Sequence, residues 1–191
     1  CIRDRGKTGE ASFGASVRSS SARVPATLSF ALDGDSPDLL ITATADDAEA
    51  KTGRFDILHP LMLDRPNGRI LAARYCNGIG VPTDDLTWRG QSWSTFGSLD
   101  MPWVGLTDGE IGYLLLWELP VSCDNGIARV DMGSVGGEDL LAPGVSHDPI
   151  KGTFGAPRTV RYSFCAEGGH VAICKRYRKY AEANGLTIIP N

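Results

Sequence analysis

The chain has 191 residues, of which 42% are hydrophobic and 22% charged, and its 19 basic and 23 acidic residues leave a net charge of -4. That length and apolar content support one folded domain without disulfide or metal staples and exclude a disordered polymer. The acidic balance argues against a nucleic-acid partner, and apolar runs such as Leu114-Leu115-Leu116-Trp117 fall far short of the ~20 residues of a membrane-spanning helix.

Residues 1–23 are rich in serine, glycine and arginine and read as a flexible tail or as the remnant of strands whose partners are missing. The chain begins at Cys1 and stops at Asn191 after an apolar stretch, so both ends read as cut. From Val24 to Leu32, Leu28, Phe30 and Leu32 alternate with Thr27, Ser29 and Ala31. A period of two predicts a half-buried strand. Asp33-Gly34-Asp35 supplies a turn, and Asp38 to Thr44 is a second strand. Further strands are expected at Phe55 to Leu58, Arg69 to Tyr75, Ile79 to Pro82, and Gly126 to Asp131. Trp103 to Thr107 and Ile111 to Glu118 flank Asp108-Gly109, a strong hairpin signal. Arg158 to Cys165 places Val160, Tyr162 and Phe164 on one face and Thr159, Arg161 and Ser163 on the other.

Helix signals are confined to the end. After Gly168-Gly169, residues Val171, Cys174, Tyr177 and Ala181 fall on one helical face, and Asn184-Gly185 is a stop. Leu186 to Ile189 starts a further strand or linker. Many short antiparallel strands and one terminal helix predict a mostly β protein, an antiparallel β-sandwich with one C-terminal helix. The expected division is 1–23 as tail or remnant, 24–166 as sandwich, and 167–191 as helix and linker.

The five cysteines (Cys1, Cys76, Cys123, Cys165 and Cys174) are odd in number and form no CxxC pair. They read as reduced small hydrophobes. His59, His147 and His170 lie far apart, and no metal or cofactor is expected. Gly133-Ser134-Val135-Gly136-Gly137 lacks the lysine of a phosphate-binding loop. Asp84, Asp85 and Asp108 read as turn residues. The basic run Lys175-Arg176-Tyr177-Arg178-Lys179 reads as a solvated helix end.

The aromatic cluster Trp88, Trp93, Phe96 and Trp103 is more informative, because it sits in a polar, glycine-containing stretch. Sugar C–H faces stack on tryptophan, and Arg89, Gln91, Ser92 and Asp100 can bond sugar hydroxyls. The competing reading is that these rings anchor a long loop to the core or to a neighbouring domain. Trp88, Trp93, Trp103, Arg89 and Asp100 are therefore the candidate carbohydrate or interdomain contacts, and no residue is assigned a catalytic role.

Three segments together carry a family resemblance. The stretch from Met101 through Asp108-Gly109 to Pro120 resembles a hairpin of galactose-mutarotase-like β-sandwich domains that precede the (β/α)8 barrel of large bacterial glycoside hydrolases. The nearest such enzymes are endo-α-N-acetylgalactosaminidase-like. Arg74 to Asp85 is similar to an upstream strand-turn-strand, and Gly168 to Ala181 resembles the helix leading toward the barrel. The resemblance spans roughly residues 55–189. It implies a supersandwich-like domain short of its full set of strands, with the catalytic carboxylates on a C-terminal barrel that would begin after Asn191. It also implies that barrel as partner and an oligosaccharide as a possible ligand. Two alternatives stand beside it: a free-standing carbohydrate-binding module using the same aromatics, and an aldose-epimerase-type enzyme in which His59, His147 or His170 meets Glu110, Glu118 or Glu138. Unpaired cysteines suit a reducing compartment, whereas many polysaccharide-degrading enzymes are exported, so no compartment is assigned.

Overall fold

The computed structural model describes residues 10–18, 23–33, 36–56, 67–75, 77–94, 98–117, 128–134 and 140–186. Its strands are β1 (Glu10–Arg18), β2 (Arg23–Leu32), β3 (Asp38–Ala45), β4 (Phe55–Asp56), β5 (Arg69–Arg74) and β6 (Asn77–Pro82). They continue as β7 (Ser92–Ser94), β8 (Leu99–Thr107), β9 (Gly112–Trp117), β10 (Ala128–Ser134), β11 (Leu141–His147) and β12 (Arg158–Cys165), followed by the helix α1 (Gly169–Ala183). One sheet runs in the order β1-β2-β3-β12-β9-β8-β5-β6 and a second in the order β4-β11-β10-β7, with antiparallel pairing throughout. The fold is thus a mostly β antiparallel sandwich with one terminal helix.

Alternation along the strands decides which layer each side chain joins. On β9, Tyr113, Leu115 and Trp117 face the second sheet and pack with Ile41, Ile70, Val104, Phe55, Trp93 and Val145. Leu114 and Leu116 face the other way and pack with Trp103 and Ile173 beneath α1. Both faces are covered, which is why this strand reads as an unbroken apolar run rather than an alternating one. The Asp108-Gly109 hairpin forms as expected: Thr107 pairs with Gly112, and the Asp108 carboxylate accepts from the Glu110 and Ile111 N–H groups, each at 2.9 Å.

Three strands were not foreseen. β1 lies inside the segment 1–23 and pairs with β2 along its whole length, from Glu10 opposite Ala31 to Arg18 opposite Arg23. β7 and β11 complete the smaller sheet. The helix forms where expected, with Tyr177 and Ala181 inward as read, but its buried face is rotated toward Ile173 and Tyr180. Ile173 and Ala181 are buried and Tyr177 and Tyr180 pack on the sheet, whereas Val171 and Cys174 are exposed. The expected strand ends at Ile57-Leu58, Glu118 and Gly126-Ile127, and the stretch Thr187 to Ile189, lie outside the described residues, as do Cys1, Cys76, Cys123, His59 and Phe96.

α1 is set on the sheet by a close backbone approach. Gly168, with φ of 88°, caps the helix without a side chain, and the Gly169 N–H donates to the Glu110 carbonyl at 2.9 Å. Gly169 has φ of 49°, and a Cβ there would stand 2.1 Å from the Gly109 carbonyl oxygen. Only glycine allows both the conformation and the approach. Gly169→Ala is expected to lower stability by roughly 2–3 kcal/mol in urea unfolding; a change below ~0.5 kcal/mol would show that the contact can slide.

Candidate functional site

The sequence-predicted residues fall into two places. Trp88 lies in a 3-10 turn, Leu86–Trp88, capped by Asp85. The Asp85 carboxylate accepts from the Thr87 hydroxyl at 2.6 Å, the Thr87 N–H at 3.2 Å and the Trp88 indole N–H at 3.2 Å. The Thr87 hydroxyl is the largest influence holding the Asp85 carboxyl below the usual carboxylate range. Trp88 meets Trp93 edge-on, with ring centres 5.7 Å apart. The Arg74 guanidinium sits 5.8 Å from the Trp88 ring, 5.0 Å from Trp93 and 4.7 Å from Tyr75. Three aromatic rings thus surround one cation, a cation–π arrangement strengthened by desolvation. Trp93 is 1% exposed and belongs to the main core, Trp88 is half-buried, and Tyr75 is 60% exposed. Arg74 Nε and Trp93 Nε1 are buried without hydrogen-bond partners. Arg89, at the end of the 3-10 turn, and Asp100, on β8, are exposed.

Trp103 stands apart. The pairing of β8 with β5 shifts register between Ala72 opposite Val104 and Arg74 opposite Leu99. Extra residues on β8 there, including Pro102, which cannot donate to the ladder, reverse the parity of the strand. Leu99 and Val104 consequently face the main core while Trp103 faces α1, its ring 5.6 Å from Tyr177 and its N–H on the Met101 sulfur at 3.4 Å. There it lines an apolar groove of about 320 Å³ with Leu71, Ala73, Ile79, His170 and Cys174. The structure therefore joins Trp88 with Trp93 and separates both from Trp103.

Two further networks went unseen in the sequence. Asp38, at the start of β3, binds the Arg161 guanidinium at 2.9 Å and that of Arg176 at 2.6 Å and accepts a short bond from the Ser163 hydroxyl. Arg176 Nε also donates to Ser163 at 3.0 Å. This clamp fastens α1 to β3 and β12, and it draws Arg176 out of the basic run expected to face solvent. Burial pushes the Asp38 carboxyl up, but the bonds from Arg176, Ser163 and Arg161 outweigh it and leave the group below its ordinary value.

The second network is interior. His147 stacks on Phe55, with ring centres 5.8 Å apart, and its Nε2 has no partner. Arg158 is 1% exposed, donates to the Phe154 carbonyl at 3.0 Å and the Ala156 carbonyl at 2.5 Å, and lies over the Phe55 and Phe154 rings. Burial, aided by the Arg158 charge and opposed by Asp148, pushes the His147 imidazole down to about 3. This histidine is a neutral core group. His170, by contrast, is exposed near Glu110, whose backbone holds Gly169, and no hydrogen bond links the two side chains. Glu118 and Glu138 lie outside the described residues. Among the described residues no cluster of histidine, cysteine and carboxylate side chains is arranged to hold a metal, and no helix is long and apolar enough to cross a membrane.

The fold is a β-sandwich domain with a helix flanking its larger sheet. No family model matches the chain, and no curated protein matches it either. Among solved structures it is similar to the α-N-acetylgalactosaminidase NagBb from Bifidobacterium bifidum, with a TM-score of 0.66 and 20% identity against its GalNAc complex. Against the Gal-NHAc-DNJ complex the TM-score is 0.67, again at 20% identity. Each likeness covers 94% of this chain and 31% of that one, so the chain spans under a third of the length of the enzyme it is similar to.

The two networks make separable stability predictions. His147 has an ordinary value of 6.5 and is depressed in the fold, so the unfolded chain takes up a proton below about pH 6.5 that the folded chain refuses. Stability is therefore expected to fall as pH drops from there, by up to ~1.4 kcal/mol per unit. Urea midpoints across this range should show that slope in the wild type and a shallower one, by about one proton, in His147→Phe; equal slopes would place the proton uptake elsewhere. Asp38→Asn leaves two half-buried guanidinium groups without their shared carboxylate and should cost roughly 3 kcal/mol at neutral pH.

Proposed function

We propose that this chain is a non-catalytic β-sandwich domain of a glycoside hydrolase, of the galactose-mutarotase-like type, which braces a (β/α)8 catalytic barrel and touches glycan at its rim. The supporting observation is the likeness that covers nearly all of this chain and under a third of an α-N-acetylgalactosaminidase. In this reading residues 24–166 are the sandwich, to which β1 from the 1–23 segment adds, and 167–191 are the helix and linker toward the barrel.

The side chains divide between the two tasks. Trp103, with the groove beside α1, suits contact with another domain, because the lining is mostly apolar, with Leu71, Ala73 and Ile79 beside the imidazole of His170. Trp88, backed by the buried Trp93 and by Arg74, suits a sugar face, and Tyr75, Arg89 and Asp100 are exposed. A free-standing carbohydrate-binding module is the second reading, favoured by that exposed Tyr75 and half-buried Trp88 around one cation.

Sequencing the reading frame beyond the Asn191 codon tests the barrel: a βα-repeating region of roughly 250 residues is expected, and a stop codon or an unrelated segment would overturn the bracing role. Calorimetric titration with N-acetylgalactosamine and short oligosaccharides tests the rim. Millimolar binding should weaken at least about fivefold in Trp88→Ala, measured where both chains are folded because the half-buried ring also packs on Trp93, and a flat titration across the panel would remove glycan contact at the rim.

A further inference from the structure

A second concavity lies on the other side of α1 from the Trp103 groove, beside the Asp38 clamp, with a volume of about 270 Å³. That size suits a ligand of a single ring rather than a chain. Three cations (Arg161, Arg176 and Lys179) and two carboxylates (Asp33 and Asp38) line it, so its wall carries one net positive charge. The groups are not equally engaged. Arg176 commits Nε to Ser163 and Nη2 to Asp38, which leaves its Nη1 donors uncommitted. Lys179, one turn further along α1, is an exposed ammonium on the same wall. The Ser36 hydroxyl lines the cavity and is buried without a hydrogen-bond partner. Asn184 donates its amide to the Tyr180 carbonyl, so its side-chain oxygen remains an acceptor, and the Asp33 carboxylate, which pairs with Arg161 at 3.4 Å, is 36% exposed.

These positions have a polarity. The C-terminal end of α1, at Ala183 and Asn184, carries the negative end of the helix dipole and repels an anion. An anionic group is therefore directed to Arg176 and Lys179, and hydroxyl groups to the end formed by Ser36, Asp33 and Asn184. A pyranose ring brings both kinds of group at once and lies against Tyr180, which walls the cavity.

We propose that this cavity binds an acidic sugar residue, with its carboxylate on Lys179 and Arg176 and its ring hydroxyls on Ser36, Asp33 and Asn184. The basic run of α1 is then a recognition element as well as a clamp. The choice of a sugar as the hydroxyl carrier rests on the glycoside-hydrolase reading.

The experiment is amide NMR titration of the intact chain with methyl β-glucuronide, methyl β-glucoside and inorganic sulfate. The glucuronide should give saturable shifts at Ser36, Lys179 and Asn184 with a millimolar dissociation constant. The glucoside, identical but for the carboxylate, should bind roughly tenfold more weakly. Lys179→Met, at an exposed position, should cost about tenfold and Ser36→Ala about fivefold, with the rest of the spectrum unchanged. No saturable shift up to about 50 mM glucuronide, or sulfate reproducing the same shifts at the same affinity, would overturn the proposal. Glucuronide binding by a chain whose reading frame encodes no barrel would sink the domain reading and leave this one intact; the reverse pair of results would sink this one alone.

Discussion

Tyr113-Leu114-Leu115-Leu116-Trp117 has no face it can leave in water, and the rest of the molecule is arranged around that constraint. All five side chains are at most 4% exposed. Burial of such a side chain contributes about 2 kcal/mol, but only if both sides of the sheet are covered. The second sheet covers one side through Phe55, Trp93, Leu141 and Val145. The helix covers the other through Ile173 and Tyr177. Neither layer is optional: without the helix, Leu114, Leu116 and Trp103 would form an exposed apolar strip of the kind that promotes association.

The helix layer is thin, and charge does part of the holding. Among the described residues, Ile173, Tyr177, Tyr180, Ala181 and the backbone approach at Gly169 bind α1 by packing. The Asp38 carboxylate adds two guanidinium contacts and a hydroxyl across three elements. Clustered charges of this kind are weak evidence for net stability, since desolvation offsets attraction. Their effect is on geometry. Arg161 on β12 and Arg176 on α1 share one carboxylate, so the rotation of the helix about its own axis is fixed, and Ile173 is held over Gly105, where any Cβ would stand 2.9 Å from the Ile173 side chain. The face shift of α1 follows from this. A helix docked only by apolar content would be free to turn Val171 and Cys174 inward with Tyr177; one pinned at Arg176 presents Ile173 and Tyr180 beside it.

The architecture was legible in the sequence where local signals were strong. The Asp108-Gly109 hairpin, the alternation of Val160 and Tyr162, and the single terminal helix all formed as read. Strands were missed where the signal was faint. β1 alternates apolar residues (Ala11, Phe13, Ala15 and Val17) with Glu10, Ser12, Gly14, Ser16 and Arg18, a pattern easily lost in a serine- and glycine-rich stretch. β11 carries Pro143 and Gly144, which argue against a strand, yet it pairs with β10 across all seven residues. The site divides the same way. That four aromatics cluster within sixteen residues was visible; that a register shift at Pro102 sends Trp103 to the opposite face from Trp93 was not, because parity is a property of pairing and not of spacing. Asp38 lies more than a hundred residues from both Arg161 and Arg176, and nothing in its local sequence announces that they meet.

The same economy bears on where recognition can occur. The residues most reminiscent of chemistry are consumed by the fold: His147 is stacked and neutral, Arg158 is spent on backbone carbonyls, and Trp93 is sealed in the core. Among the described residues, the surfaces proposed for contact lie at the margins of the large sheet. The Trp88 rim and the Trp103 groove occupy opposite faces of that sheet, because β5 and β8, which bear Arg74 and Trp103, are read from both sides. In the proposed role, contact with a partner and contact with a ligand use different faces of the sheet, and the parity change on β8 is what sets Trp103 apart from Trp88 and Trp93.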